Sequence, residues 1–328
     1  MKNITKIIGL ILVTAMLLTL AACNSEPADN TVAKVLTLKG PTGLGMLEMM
    51  DKNEKSEEKG YEFGIMSSPD EMKTEVVLGN YDIAAVPINL ASALYKVTEG
   101  KLMVAAINTL GVLYILENGE TITNISDLKG KTIYCAGGGS TPEYVLKYVL
   151  EKNGIDPEND VTLDFSFTDH AELAAFAAEG TFDIVMLPEP NVTSALVNSK
   201  EGELRVALDL TEEWDKVCDT KLIQGCIVVR KEFAEAHPAK LKAFLEEYNA
   251  SVEYVNTNVD SAAALAEHFG IIPKAALAKK AIPGCNITFV SGEEMKNDMK
   301  AMLNILYEAA PSSVGGKLPD DAFYYIAK

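Results

Sequence analysis

The sequence predicts an α/β protein of two lobes, each a wound, mainly parallel sheet with flanking helices, joined by two crossover hinge strands. Three observations carry that expectation: a strand–turn–helix unit used twice, strands alternating with helices at short spacing, and a chain of 328 residues, long enough for two domains. The repeat is the most informative of the three. Residues 79–87, from Gly79 through Asp82 and Ile83 to Pro87, and residues 180–188, from Gly180 through Asp183 and Ile184 to Pro188, share the pattern Gly-x-aromatic-Asp-Ile-x-x-apolar-Pro. Ser-Ala-Leu follows each, at Ser92–Leu94 and, with one residue inserted, at Ser194–Leu196.

The elements follow in order. Lys2 and Lys6 precede an apolar run from Ile7 to Leu20, too short for a comfortable membrane span, which reads as a signal peptide over 1–22. Leu20-Ala21-Ala22-Cys23 resembles the lipobox of bacterial lipoproteins. That resemblance implies cleavage before Cys23, a lipid on its sulfur and a polar tether over 23–33. No second long apolar run follows, so a soluble, tethered body is expected.

Lys34–Gly40 opens the first unit as a strand and glycine turn, with Thr42 capping a helix near Gly43–Lys55. Phe63–Ser68 is a strand, and Ser68 caps a helix over Pro69–Leu78, proline suiting the first helical position. The second unit repeats the scheme. Lys131–Gly139 is a strand and turn, Ser140 or Thr141 precedes Pro142, and Phe165–Thr168 is a strand. Asp169 then caps a helix to Ala178, with Glu172 at capping-box spacing. Between the units, Leu102–Asn108 and Leu113–Glu117 are strands flanking Gly111. After them, Leu204–Leu208 and Lys221–Val229 are strands, and the tail is expected to be helical: Lys231–Asn256, Val259–Gly270, Lys274–Lys280 and Gly292–Ala310. The first lobe is expected to hold residues 34–114 and 222–328, and the second 115–221, with crossings near Gly111–Asn118 and Asp209–Leu222.

Composition bounds the function. The chain is 48% hydrophobic and 23% charged, a globular balance, and its net charge of −18 argues against nucleic acid and anionic lipid surfaces. Cys135, Cys218, Cys226 and Cys285 form no C-x-x-C pair, and His170, His237 and His268 are scattered, so no metal site is expected. The cysteines read as small buried apolar residues, with one disulfide as the alternative.

Ligands of wound sheets sit beyond the carboxyl ends of the strands. Two such lobes set six loops across one cleft: 40–43, 67–68 and 87–89 against 137–141, 168–169 and 188–191. The candidate ligand-binding residues are Thr42, Gly43, Ser67, Ser68, Asn89, Asn108, Gly138, Gly139, Ser140, Thr141 and Glu189. Glycines let backbone approach a ligand, and the 137–141 loop reads as a nest of N–H donors with hydroxyls, suited to an acidic or polar group. Asn89 and Glu189 are expected at equivalent positions after the paired prolines, with Glu189 facing a ligand amine or starting a helix. Tyr114 and Trp214 are candidates to stack on a ring, or core filler. The two arginines, Arg205 and Arg230, leave little for a bidentate clamp on sulfonate or phosphate.

Several segments together resemble a known family. They are Gly40–Gly43, the run Ile125-Ser126-Asp127-Leu128-Lys129-Gly130-Lys131-Thr132-Ile133, the glycine turn running to Glu143, and Val228–Phe233 with His237-Pro238. Over about residues 34–310 the chain resembles substrate-binding proteins of ABC importers, in the branch for nitrate, sulfonates and thiamine-type pyrimidine precursors. The resemblance implies a type II periplasmic-binding-protein fold that closes around a small ligand and docks on permease subunits. It also implies a monomer without a cofactor, at the extracytoplasmic face of the bacterial cell membrane. An enzyme is not expected. Gly40-x-x-Gly43-x-Gly45 inverts the dinucleotide order, and G-x-S-x-G, P-loop and H-E-x-x-H motifs are missing. Fungal relatives make the thiamine pyrimidine with a cysteine-rich motif and iron, and this chain has no such cluster. A ligand sensor for a membrane receptor shares the fold and stays an alternative.

Overall fold

A computed structural model describes residues 29–200 and 202–327. The leader, Cys23 and the start of the tether lie outside the described residues. Two sheets form, not one. The first holds β1 (Ala33–Leu38), β2 (Tyr61–Met66), β3 (Ile83–Pro87), β4 (Leu102–Leu110), β10 (Ile223–Arg230) and β11 (Ile287–Val290), in the order β11-β4-β10-β3-β1-β2. The second holds β5 (Leu113–Asn118), β6 (Thr132–Ala136), β7 (Thr162–Phe167), β8 (Ile184–Pro188) and β9 (Leu204–Asp209), in the order β7-β6-β8-β5-β9. Without β11 the two orders are the same arrangement.

Each sheet is mixed for a topological reason. β1 pairs parallel with β2 and β3, and β6 with β7 and β8. β10 runs antiparallel between β3 and β4, and β5 antiparallel between β8 and β9. Both β5 and β10 arrive from the other sheet, entering where the parallel strands finish: Leu113 lies opposite Pro188, and Gly225 opposite Pro87. A strand that enters at that end must run backwards. The central strands Ile83–Val86 and Ile184–Leu187 are wholly buried, as continuous apolar runs covered on both faces should be.

The helices are α1 (Pro41–Leu44), α2 (Leu47–Lys55), α3 (Pro69–Leu78), α4 (Ile88–Val97), α5 (Thr141–Lys152), α6 (His170–Ala178), α7 (Asn191–Asn198), α8 (Leu210–Asp215), α9 (Lys231–Ala236), α10 (Pro238–Thr257), α11 (Val259–His268), α12 (Ala275–Ala281) and α13 (Gly292–Ala309). Ser68 and Asp169 cap as expected, accepting from the N–H of Glu71 at 3.2 Å and of Ala171 at 2.7 Å. The expectation for Thr42 is corrected: α1 already opens at Pro41 with Gly40 as its cap, so Thr42 lies inside the helix.

Other departures have physical causes. The helix expected over Lys231–Asn256 breaks at His237, because Pro238 restarts it as a first-turn proline. The tail is not wholly helical: β11 adds an edge strand against β4. Leu113 and Tyr114, expected with the first lobe, pair in the second sheet. Strands β2 and β7 begin two to three residues early, leaving their polar ends free to cap α3 and α6.

One apolar cluster runs through the hinge. It joins Leu36, Val86 and Val104 of the first sheet to Ile133 and Met186 of the second through Leu113, Trp214 and Leu222, with Met295, Met299 and Met302 of α13 beside them. Trp214 is fully buried there, 4.7 Å from the Tyr148 ring, with its indole N–H on Thr220 O at 2.5 Å. It is core, not a cleft ring. The four cysteines among the described residues are free; Cys135, Cys226 and Cys285 are buried as packing residues, and Cys218 is half-buried.

Candidate functional site

The carboxyl ends of the parallel strands in each sheet meet the other sheet across a narrow gap. A methyl group on Gly40 would stand 3.9 Å from Pro190 Cδ, and one on Gly284 would stand 3.1 Å from Glu189 Oε1. The Tyr114 hydroxyl, second residue of β5, donates to Gly284 O at 3.2 Å. These contacts join chain segments far apart in sequence, at the rims where loops 40–43, 137–141 and 188–191 lie.

On the first-sheet side, the glycines serve packing. A Cβ on Gly43 would sit 2.5 Å from Leu38 O, and one on Gly45 would sit 2.2 Å from the Tyr248 hydroxyl. The Gly-rich turn therefore lets α1 and α2 press on β1 and α10; Gly43 faces the core and is not exposed to a ligand. Asn108 is fully buried beneath α1. Its amide donates to Thr42 O at 3.3 Å and its Oδ1 accepts from Thr109 Oγ1 at 3.1 Å, so it positions the helix start rather than pointing into solvent. Thr42 and Asn89 are half-buried, Ser67 is exposed, and the Ser68 hydroxyl is engaged as a cap.

On the second-sheet side, the loop is open but partly self-satisfied. Gly138 and Gly139 are exposed. Gly139 N–H already donates to Glu143 Oε2 at 2.7 Å, and the Ser140 hydroxyl donates to Gly137 O. Burial works against ionisation of Glu143, but the Gly139 N–H and Lys147 outweigh it and hold the acid below its usual range. The nest expected for an acidic ligand group thus holds one of the chain's own carboxylates. Ser140-x-x-Glu143 spacing was the signal for this. Thr141 is buried with its hydroxyl unpaired, and beside this loop stands His170, a residue the sequence reading left aside. Burial pushes the His170 imidazole down, toward the neutral form.

Glu189 is the least expected feature. It is 7% exposed, accepts from Thr193 N–H at 3.1 Å and Thr193 Oγ1 at 2.8 Å, and burial raises its pKa against those two bonds. The equivalence expected between Asn89 and Glu189 is off by one. Counted from Pro87 and Pro188, Glu189 matches the fully buried Ile88, and Asn89 matches Pro190. Burial, then Asp209, Glu189 and Cys285, push the Tyr114 phenol up.

Both arginines lie at the opposite ends of the sheets. Arg205 serves Glu117 at 2.5 Å with Gly119 O and Ile122 O, and Arg230 serves Gly79 O and Glu232. Among the described residues no group of three or more His, Cys, Asp or Glu gathers as a metal site, and no helix is long and apolar enough to cross a membrane.

Comparison with known proteins gives these likenesses. The NMT1/THI5 like family matches residues 100–262, about half of the chain. A protein of Bacillus subtilis (strain 168), "Putative binding protein YtlA", is 26% identical over 209 residues, 62% of this chain and 60% of its own length. The chain thus spans about three fifths of that relative. A crystal structure of an ABC transporter from Parabacteroides distasonis superposes at TM-score 0.77 with 24% identity, over 91% of this chain and 100% of that one. The periplasmic aliphatic sulphonate binding protein SsuA of Escherichia coli superposes at 0.69 with 16% identity, over 87% and 90%. At these identities the structures establish the shared fold, that of periplasmic binding proteins.

Proposed function

The chain belongs to the NMT1/THI5-like family, and from that we propose that it is an extracytoplasmic solute-binding lipoprotein of an ABC importer. It captures a small organic ligand between its two lobes, a heterocyclic vitamin precursor or a sulfonate-like molecule, and presents it to permease subunits. The lipid on Cys23 holds it at the outer face of the cell membrane. Lobe 1 comprises the first sheet with its helices, lobe 2 the second, and Thr42, Ser68, Asn89, Ser140, Thr141 and Glu189 line the cleft between them. The observation that carries this reading is the close approach of the two strand-end rims, Gly40 toward Pro190, with the Tyr114 hydroxyl bonded to Gly284 O, across a joint of two crossings.

Capture then follows as a population shift. Ligand binds one lobe of an open form, and contacts with the other lobe favour closure. The test is native mass spectrometry of protein purified from rich medium, followed by melting and small-angle scattering with the ligand so identified. At a hundredfold excess over Kd, ligand adds about 2.7 kcal/mol of stability, and the radius of gyration falls. A bound ligand that changes neither melting nor radius refutes the clamp. Ser140→Ala with Thr141→Ala should weaken binding; unchanged affinity removes that loop from the site.

A further inference from the structure

We infer that the ligand of this cleft is a small organic cation, a protonated amine or amidinium, whose charge is met by the Glu189 carboxylate; this deepens the proposed function and rests on it. Four observations converge. First, Glu189 is buried without a cation: its hydrogen bonds come from Thr193, and no lysine, arginine or histidine among the described residues pairs with it. A buried carboxylate is costly unless an opposite charge completes it. Each oxygen accepts one bond here and keeps capacity for another.

Second, the fold does not require an acid at this position. In the sister unit the residue just after the strand-ending proline is Ile88, fully buried. The duplicated architecture is content with an apolar residue, so the carboxylate is an added cost.

Third, the surroundings are acidic. The Tyr114 hydroxyl bonds Gly284 O beside Glu189, and Asp209, at the end of β9, lies opposite Tyr114 in the sheet. Asp209 caps α8 through Thr211 N–H at 2.7 Å, and the Gly284 carbonyl adds a further acceptor. Lys39, at the end of β1, is exposed.

Fourth, both arginines and the Gly139 N–H, which could hold an anion, are engaged elsewhere, the arginines at the far poles and the N–H on Glu143. Of the two ligand classes proposed above, the sulfonate-like one therefore carries the wrong sign of charge for this carboxylate, and the heterocyclic one is favoured when it bears a protonated amine or amidine.

The experiment uses two series matched in size and differing in charge: benzamidine, benzamide and benzenesulfonate; butylamine, butyramide and butanesulfonate. Binding is measured by calorimetry and thermal shift at pH 7 on the wild type and Glu189→Gln, which keeps an acceptor for Thr193. At least one cation is expected to bind more tightly than its neutral and anionic partners, and Glu189→Gln to weaken it at least about tenfold. A second readout separates a ligand-facing acid from a mere helix cap. Burial raises the folded pKa of Glu189, so its contribution to stability is present below the ordinary carboxylate range and is lost as pH rises through the raised value. Ligand-free Glu189→Gln should then melt at or above the wild type at pH 7, the gain shrinking toward pH 4. Preference for a sulfonate or amide, absence of cation binding, or cation affinity untouched by Glu189→Gln each overturns the inference. A protein that closes on a neutral or anionic solute keeps the capture function and loses only the carboxylate assignment; one that closes on no solute loses the function itself.

Discussion

The two sheets are built to one plan and used differently. In both, an edge strand, an opening strand and a proline-ended strand lie side by side, followed by a strand from the other lobe. Yet the glycine turn of the first sheet is buried, and its missing Cβ atoms admit Leu38 O and the Tyr248 hydroxyl. The turn of the second is exposed: a Cβ on Gly139 would meet nothing within 4 Å, and its glycine is needed for a φ of +75° instead. The lesson is that one motif letter can satisfy two unrelated constraints, close approach and left-handed backbone. The same holds after the prolines, where Ile88 fills a core and Glu189 is buried beside Gly284.

That contrast can be tested by substitution. Gly43→Ala should show the largest effect, about 3 kcal/mol, because the new methyl meets backbone oxygen that cannot swing aside. Gly139→Ala should cost only the positive φ, about 1 kcal/mol. Denaturant midpoints at equal slope decide it, and equal losses at the two positions would erase the distinction.

Asn108→Ala comes next, at about 2 kcal/mol, for leaving the Thr42 carbonyl and the Thr109 hydroxyl without their partner beneath α1. Amide exchange should quicken at the start of α1 and not in the 137–141 loop. A smaller effect separates the serines at matching turns. Ser68→Ala should cost about 1 kcal/mol, since its oxygen caps Glu71 N–H, whereas the Ser140 hydroxyl is spent on Gly137 O and caps nothing, so Ser140→Ala costs less.

The smallest effect concerns the N-terminal segment, which only the first sheet carries. Thr31 side-chain and backbone bonds, then His237, hold Asp29 at a pKa of about 2. A lowered folded pKa stabilises above the ordinary value and fails as pH falls between about 4 and 2. Exchange protection at Thr31 should fade across that window, while that of β1 persists.

Much of this was legible beforehand because it depends on local chemistry. The paired Gly-x-aromatic-Asp-Ile stretches announce a duplicated strand–helix unit, and Ser68 and Asp169 announce their helices. The five strands of the second sheet follow from apolar runs between turns. What escaped depends on partners distant in the chain. β11 has four residues and is defined only by its pairing with β4. Trp214 looks like a binding ring until Tyr148 and the hinge core enclose it. Asn108 looks like a ligand donor until α1 lies over it.

By itself, then, the sequence determined the doubly wound plan, the rims that end its strands and the poverty of arginine, because propensity, capping and composition act within a few residues. Tertiary structure alone decided that Gly284 would cover Glu189 and that Glu143 would fill the loop's donor. Burial and charge pairing arise between atoms brought together from across the chain, and no local pattern encodes them.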